Sequence, residues 1–256
     1  MTTALITGAS SGLGEQFAYA LARQKYDLVL VARRKDRLEG VAAKARELGT
    51  EHVEIVVADL ARREAPQEIY DQLRVAGIQI HYLINNAGFG TNGPFTQLAP
   101  ARELEEIDLN VTALVALTRL LLPPMIERRT GTIINVASTA AFQAIPYMST
   151  YAATKAFVLS FTSGLAGELV GTGIRCLALC PGPVATEFQS VAKNERGRLP
   201  KIAFVSAEKV VAEGIAAAAS GRTVYIPGLL NFVTAQTSRF VPRAVISFFV
   251  RRIYCP

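Results

Sequence analysis

Short apolar runs alternate with longer segments of mixed polarity along the whole chain. The apolar runs predict buried strands over Thr3–Thr7, Asp27–Ala32, His52–Ala58, His81–Asn85, Gly131–Ala137, Gly173–Cys180 and Thr223–Pro227. Helical periodicity between them is clearest over Leu38–Leu48 and Tyr151–Leu169. Strands that alternate with helices form parallel sheets covered on both faces. The pattern therefore predicts an α/β fold, a doubly wound parallel sheet of about seven strands.

The chain has 256 residues, of which 50% are hydrophobic, and no linker-like or repeated stretch divides it. We expect one core, with the main domain over 1–228 and a basic, apolar extension over 229–256. In this tail, a short helix is predicted over Val241–Ile253, with Val245, Phe248 and Phe249 facing inward. Packing on the same domain or on a second subunit is the favoured interpretation, and association with a membrane surface is the alternative.

The first strand runs into a glycine-rich turn, Gly8-Ala-Ser10-Ser11-Gly12-Leu13-Gly14, and then into a helix. A strand, a glycine turn and a helix N-terminus are the parts of a nucleotide-binding βα unit, where backbone N–H groups and the helix dipole favour a pyrophosphate. The same letters fit a hydrolase GxSxG elbow at Ser10, but that chemistry needs a histidine after the acid, and both histidines lie in the first third of the chain.

Arg33 and Arg34 follow the second strand, about twenty residues after the glycines. An acid at this place holds an unphosphorylated ribose, whereas arginine accommodates a 2′-phosphate. A charge-assisted hydrogen bond of ~1.5–3 kcal/mol corresponds to roughly a ten- to a hundred-fold preference. We therefore expect NADPH/NADP+ rather than NADH as the cofactor, although a solvated basic turn is the simpler alternative.

Polar or small residues follow the remaining strands as well. Because the carboxyl ends of parallel strands lie at one edge, which is where open sheets bind ligands, these residues should meet there. They are Asp59-Leu60, Asn85-Asn86-Ala87-Gly88, Ser138 and Pro181-Gly182-Pro-Val184-Ala-Thr186. Asn110 is predicted to lie inside a long apolar helix, where asparagine is mildly unfavourable, so its presence there indicates a specific role.

Tyr151 and Lys155 are four residues apart on a predicted helix, so they share a face. A free phenol titrates near ~10. A cation at ~4 Å in an effective dielectric of ~20 favours the phenolate by roughly 4 kcal/mol, which brings the pKa close to neutrality. Such a tyrosine can donate a proton to a carbonyl oxygen or accept one from an alcohol. Taken alone, this spacing is a weak signal.

Charge and cysteines narrow the remaining classes. The net charge is +6, and five arginines without any acid lie between Arg222 and the end, so the body is nearly neutral and no nucleic-acid partner is expected. Three cysteines argue against a disulfide framework and for a cytoplasmic location, and no metal site is predicted. No signal peptide is expected, and Arg119 with Pro123-Pro124 interrupts the most apolar segment.

The motifs form one ordered set: Thr7-Gly8-(x)3-Gly12-x-Gly14, Asp59, Asn85-Asn86-Ala87-Gly88, Asn110, Ser138, Tyr151-(x)3-Lys155 and Pro181-Gly182. This set resembles the short-chain dehydrogenase/reductase family. The resemblance covers about residues 3–228. It implies a single Rossmann-type domain, a nicotinamide cofactor and pro-S hydride transfer.

The resemblance also implies a role for each motif residue. Tyr151 is expected to be the acid/base, Lys155 to lower its pKa and hold the nicotinamide ribose, and Ser138 to bind the substrate oxygen. Asn110 would support a water between Lys155 and solvent, and Thr186 would hold the carboxamide. Arg33 with Ser10 or Ser11 matches the pattern of NADP-preferring members, although Ser11 stands where some of them carry a basic residue.

An apolar substrate pocket is predicted from Phe89-Gly90, from 140–148 and from 187–205, which include Phe142, Ile145, Pro146, Tyr147, Met148 and Phe188. This favours an apolar ketone or a 3-oxoacyl substrate, unless these side chains are simply core. A non-catalytic NADP-binding sensor or scaffold protein is the alternative function. The apolar helical stretches Val111–Leu122 and Phe157–Leu169 suggest a homodimer or homotetramer.

Overall fold

A computed structural model describes residues 2–184, 204–238 and 240–254, without the side chains of residues 243, 249, 253 and 254. Seven parallel strands form one sheet in the order β3-β2-β1-β4-β5-β6-β7. The chain crosses over after β3, so β2 and β3 lie on one side of β1 and β4 to β7 lie on the other. This arrangement confirms the predicted doubly wound sheet and its number of strands.

The strands are β1 (Thr3–Thr7), β2 (Asp27–Ala32), β3 (Val53–Val57), β4 (Ile80–Asn85), β5 (Gly131–Val136), β6 (Ile174–Leu179) and β7 (Val224–Tyr225). The described helices are α1 (Gly12–Arg23), α2 (Lys35–Glu47), α3 (Ala65–Val75), α4 (Pro100–Ile107), α5 (Ala113–Glu127), α6 (Ser149–Glu168), α7 (Ala207–Ala219), α8 (Leu229–Thr237) and α9 (Arg243–Tyr254). Short 3₁₀ turns occur at Phe95–Gln97 and Thr139–Phe142.

Alternate residues of each central strand point into different apolar layers. Ile6 and Leu30 pack with Phe17 of α1 in one layer, while Leu5 and Val29 lie in the other. Both layers are buried because helices cover both faces, and this explains why the strands read as nearly continuous apolar runs. Cys176 and Cys180 are buried core side chains, and their thiol pKa values rise to about 12 because of burial.

Helices α4 and α5 form one continuous run, joined by a π-helical turn over Asp108–Thr112. The predicted interruption at Pro123-Pro124 is wrong, since both prolines lie inside α5. They are close to its C-terminal end, so only the last turns lose backbone hydrogen bonds. By length and composition alone, the 28-residue run Pro100–Glu127 could cross a membrane. Here Leu117, Leu121 and Met125 are buried in the apolar layer against the sheet. Leu104, Ile107 and Ile126 of the same run are exposed.

The C-terminal extension forms two helices, α8 and α9, instead of the single one predicted. The predicted inward face of α9 is wrong for Val245 and Phe248, which are 44% and 53% exposed, and the side chain of Phe249 lies outside the described residues. Val250 and Ile246 pack inward, against an apolar cluster that includes Tyr151. Periodicity defines a stripe of apolar positions, but the packing partner decides which part of the stripe is buried. The predicted division at residue 228 remains a prediction.

Candidate active site

One large cavity of about 720 Å³ opens at the carboxyl edge of the sheet. Most of the site residues predicted from the sequence line it. These are Gly8, Ser10, Ser11, Gly12, Leu13, Arg33, Arg34, Asp59, Leu60, Asn86, Ala87, Gly88, Ser138, Tyr151, Lys155, Pro181, Gly182 and Val184. Thr186 lies outside the described residues. Gly14 and Asn110 are close to the cavity, but they support its wall rather than line it.

The glycine turn brings the backbone of two strands unusually close together. Gly8 has a φ of +65°, and a Cβ on it would lie 2.9 Å from the Cα of Ala87. A Cβ on Gly14 would lie 2.2 Å from the carbonyl oxygen of Gly8. Only glycine fits at these positions, and the open backbone at the start of α1 suits the pyrophosphate of a dinucleotide.

Asn86 and Thr7 brace this turn from the neighbouring strand. The Asn86 Nδ2 group donates to the carbonyl oxygens of Thr7 and Gly8, at 2.9 and 3.3 Å. The Thr7 hydroxyl accepts from the backbone N–H groups of Asn86 and Ala87. These contacts tie the glycine turn to the end of β4.

The two predicted arginines have different surroundings. The Arg34 guanidinium donates to the Ser11 Oγ at 2.9 Å and to the Ser10 Oγ at 3.2 Å. Arg33 instead lies 3.9 Å from Asp59 and 3.5 Å from Glu105. Arg37, which the sequence analysis did not single out, reaches the Ser10 carbonyl oxygen at 3.5 Å. Arg34 is therefore the arginine that is hydrogen-bonded to both Ser10 and Ser11.

Lys155 is buried beneath the cavity on α6. Its Nζ donates to the Val136 carbonyl oxygen at 2.8 Å and lies 5.9 Å from the centroid of the Tyr151 ring. Burial lowers the pKa of Lys155 to about 8, against the opposing effect of the Glu106 carboxylate. The predicted shared face of Tyr151 and Lys155 is present, and the hydrogen bond to β5 holds the lysine beside the tyrosine.

Ser138 follows β5 and begins the 3₁₀ turn at Thr139–Phe142. Its Oγ accepts from the Ala140 N–H at 3.1 Å, which fixes the hydroxyl at the start of that turn. Ser138 and Tyr151 both line the cavity. A carbonyl oxygen placed between the two hydroxyls could be held by one and protonated by the other.

Asn110 lies in the π-helical turn, buried between α4 and α5. Its Oδ1 accepts from the Phe89 N–H, and its Nδ2 donates to the Phe89 carbonyl oxygen and the Thr154 hydroxyl. A π-turn in a helix frequently occurs at a functional site. The polar residue inside the apolar helix thus has a structural reason, since it ties the loop after β4 to α6.

On the substrate side, the predicted apolar residues separate into two groups. Phe89, Ile145 and Met148 line the cavity, together with Leu230 and Val250 from the C-terminal helices. Phe142 packs into a core cluster instead. Pro146 and Tyr147, which were also predicted to form the pocket, do not line the cavity. Phe188 lies outside the described residues.

The hydrolase alternative from the sequence does not fit this arrangement. The hydrolase interpretation needs a histidine at Ser10, but the Nδ1 of His81 accepts from the Thr3 N–H, near the start of β1. The backbone of His52 precedes β3 and is bonded to Asp27. Within residues 2–184, 204–238 and 240–254, no cluster of potential metal ligands was found.

Known proteins share this architecture. A sequence profile described as short chain dehydrogenase matches residues 2–197. The chain belongs to the short-chain dehydrogenase family. The ketoacyl reductase HetN of Nostoc is 33% identical over 93% of this chain and 82% of its own length. The very-long-chain 3-oxoacyl-CoA reductase of Anas platyrhynchos is 34% identical, and the match spans 74% of this chain and 62% of that relative's length.

Among solved structures, the short-chain dehydrogenase from Sphingobium yanoikuyae in complex with NADPH superimposes with a TM-score of 0.84. It is 36% identical, with 94% of each chain covered. The family and the fold predicted from the motifs are thus confirmed. The chain is an oxidoreductase of this family.

Proposed function

We propose that this protein is an NADPH-dependent carbonyl reductase whose substrate is an apolar ketone or a 3-oxoacyl compound. The observation that carries the proposal is the meeting of Ser138, Tyr151 and Lys155 at one cavity, at the carboxyl edge of the sheet. A protein that only binds the nucleotide has no need for a proton donor beside a buried cation. This weighs against the alternative of a non-catalytic sensor or scaffold.

The residues of the site fit a phosphorylated dinucleotide. The glycine turn leaves room for the pyrophosphate, and Asp59 and Leu60 would border the adenine. Arg34, with Ser10 and Ser11, forms a cationic, hydroxyl-rich pocket where the 2′-phosphate of NADPH would be held. At the other end, Gly88, Lys155, Pro181, Gly182 and Val184 would hold the nicotinamide riboside, with Thr186 expected at the carboxamide.

The bound nicotinamide supplies the hydride for the carbonyl carbon. Ser138 donates a hydrogen bond to the carbonyl oxygen and orients it. The Tyr151 hydroxyl donates its proton to that oxygen as negative charge develops there. The Lys155 ammonium stabilises the tyrosinate that remains. In the oxidative direction, the same groups act in reverse order, with the tyrosinate accepting the proton of the alcohol.

An apolar substrate is supported by the side chains around the reacting end of the cavity. Ile145, Met148, Leu230 and Val250 present hydrocarbon there. The names of the relatives from Nostoc and Anas platyrhynchos indicate ketoacyl and 3-oxoacyl chemistry for those proteins. We extend this class to the present chain as part of the proposal, together with a homodimer or homotetramer and a cytoplasmic location.

A consumption assay tests the proposal directly. NADPH oxidation would be followed with 3-oxoacyl thioesters, steroids, quinones and aryl ketones, each with the wild-type protein and with Tyr151→Phe. We expect turnover with at least one apolar class and its loss in the variant. NADPH binding without turnover on any of the classes would instead support the scaffold alternative.

A further inference from the structure

A pair of buried carboxylates lies behind the catalytic helix. Glu106 is 0% exposed and Glu103 is 7% exposed, although both are on α4 at the surface of the fold. Carboxylates are almost never fully buried without partners. The sequence analysis did not single out either one, because acidic residues on a helix usually form a solvated face.

Both carboxylates contact the same hydroxyl group. The Thr91 Oγ1 lies 2.5 Å from Glu103 Oε1 and 2.9 Å from Glu106 Oε2, and the Thr91 N–H also donates to Glu106 Oε2 at 3.0 Å. A hydroxyl carries one proton. Both hydroxyl contacts can be hydrogen bonds only when one carboxyl group is protonated and donates to Thr91. The geometry therefore favours one proton shared by the pair.

The cluster is connected to the catalytic residues on two sides. Glu103 Oε2 accepts from the Thr150 hydroxyl, next to Tyr151. Glu106 is one helical turn before Asn110. A Cβ placed on Gly88 would lie 2.8 Å from the Asn110 Oδ1 and 3.5 Å from the Lys155 Nζ, so both atoms border Gly88. The remaining oxygen of Glu106, Oε1, is buried and has no hydrogen-bond partner in the described part of the chain. A buried oxygen of this kind requires a compensating charge or donor.

The buried ammonium of Lys155 likewise requires a compensating charge, of the opposite sign. Its ammonium is buried, and no carboxylate of the described residues lies within 4.0 Å of it. Glu106 is the acid that most favours its charged form.

We propose that Glu106 is the buried counter-charge of Lys155, and that the proton it shares with Glu103 through Thr91 decides whether that charge is present. This makes Glu106 a positioning residue, since it acts on Tyr151 only through Lys155. The inference rests on the proposed function for its catalytic consequence, but the charge coupling itself does not.

The titration of the groups gives the expected pH range. Burial raises the pKa of Glu106 to about 7, with Glu103 raising it further and Lys155 opposing the shift. The pKa of Lys155 is about 8, and the Cys180 thiol that also faces it is neutral because burial raises its pKa to about 12. The carboxylate and the ammonium therefore coexist mainly between pH 7 and 8.

The direct test is NMR of the NADP+ complex containing lysine labelled with ¹³C at Cε, with the Lys155 signal assigned by its absence in Lys155→Arg. In the wild type we expect an inflection near pH 7 from Glu106 before the main transition near 8. In Glu106→Gln, the inflection should disappear and the main midpoint should fall by about one unit or more, since an opposite charge is lost. Glu127→Gln, which removes an exposed acid from α5, is the matched control and should change neither.

Two results would overturn the inference. One is a wild-type titration without the inflection near pH 7, which needs no variant and so does not depend on the folding of one. The other is an unchanged Lys155 midpoint in folded Glu106→Gln. Activity is measured separately: the alkaline limb of the rate–pH profile should move to lower pH in Glu106→Gln. If wild-type protein reduces no carbonyl, the proposed function fails, while the NMR result still decides the coupling.

Discussion

Replacement of Arg34 by alanine should reduce the preference for NADPH while leaving the use of NADH nearly unchanged. The guanidinium lies 2.9 Å from Ser11 Oγ and 3.2 Å from Ser10 Oγ, which places its charge where a 2′-phosphate would lie. A hydrogen bond to a charged group contributes ~1.5–3 kcal/mol. Because each 1.4 kcal/mol is about a factor of ten, kcat/KM for NADPH should fall roughly ten- to a hundred-fold.

Arg33→Ala gives the comparison on the same turn. Arg33 has a side chain 57% exposed and lies near the acids Asp59 and Glu105, so a loss equivalent to only about 0–1 kcal/mol is expected. Arg74→Ala removes a further exposed charge, from α3, and serves as the matched control. Initial rates with both cofactors would be measured for all three variants. An Arg34→Ala protein with an unchanged ratio of NADPH to NADH efficiency would refute this assignment.

Three further variants test other parts of the site. In Gly14→Ala the new Cβ would lie 2.2 Å from the Gly8 carbonyl oxygen, so we expect this variant to lose NADPH binding in a fluorescence titration. Gly40 has open space around it, and Gly40→Ala should bind NADPH normally. Equal affinity in both variants would contradict the close packing. Val250→Asp should raise KM for apolar substrates, because Val250 is 7% exposed and lines the cavity. Val245→Asp, on the exposed side of the same helix, should leave KM unchanged. Equal effects of the two substitutions on KM would argue against a role of α9 in the pocket. Lys155→Met should abolish reduction yet increase the free energy of unfolding at pH 7, since burial disfavours the ammonium. The pKa of Lys155 is about 8 in the folded protein and ordinarily 10.5, so the free-energy cost of burying the ammonium is complete below pH 8 and disappears towards pH 10.5. Urea unfolding of both proteins at several pH values would measure this. A gain in stability that does not depend on pH would contradict burial of the charge as the cause.

The sheet and its glycine turn could be predicted because their signals are local. A buried strand, a turn that only glycine fits and a helix start occur in sequence, and Gly8 and Gly14 are each forced by a close backbone contact. The strand ends were predicted to meet because parallel strands place them at one edge. Helical spacing predicted that Tyr151 and Lys155 share a face, and the resemblance to the family implied their roles.

Other features depend on tertiary contacts that no local pattern contains. The sequence could not distinguish the roles of Arg33 and Arg34, because this depends on which side chain turns towards Ser10 and Ser11. The inward face of α9 depends on the cluster around Tyr151, and periodicity alone left it undecided.

Glu103 and Glu106 were missed for a related reason. The two acids are hydrogen-bonded to Thr91 in the loop before α4, and this contact depends on how the loop folds back on the helix. In the sequence they form only a high density of acids just before Asn110.

In the proposed mechanism, the Tyr151 hydroxyl supplies the proton that completes carbonyl reduction. Tyr151→Phe keeps the ring and its packing against Val250 while it removes that proton. Single-turnover oxidation of bound NADPH by a ketone substrate measures this step without product release. We expect the rate to fall by about 10²–10⁴-fold with NADPH affinity unchanged. A variant that keeps more than a few per cent of the wild-type rate would contradict the account.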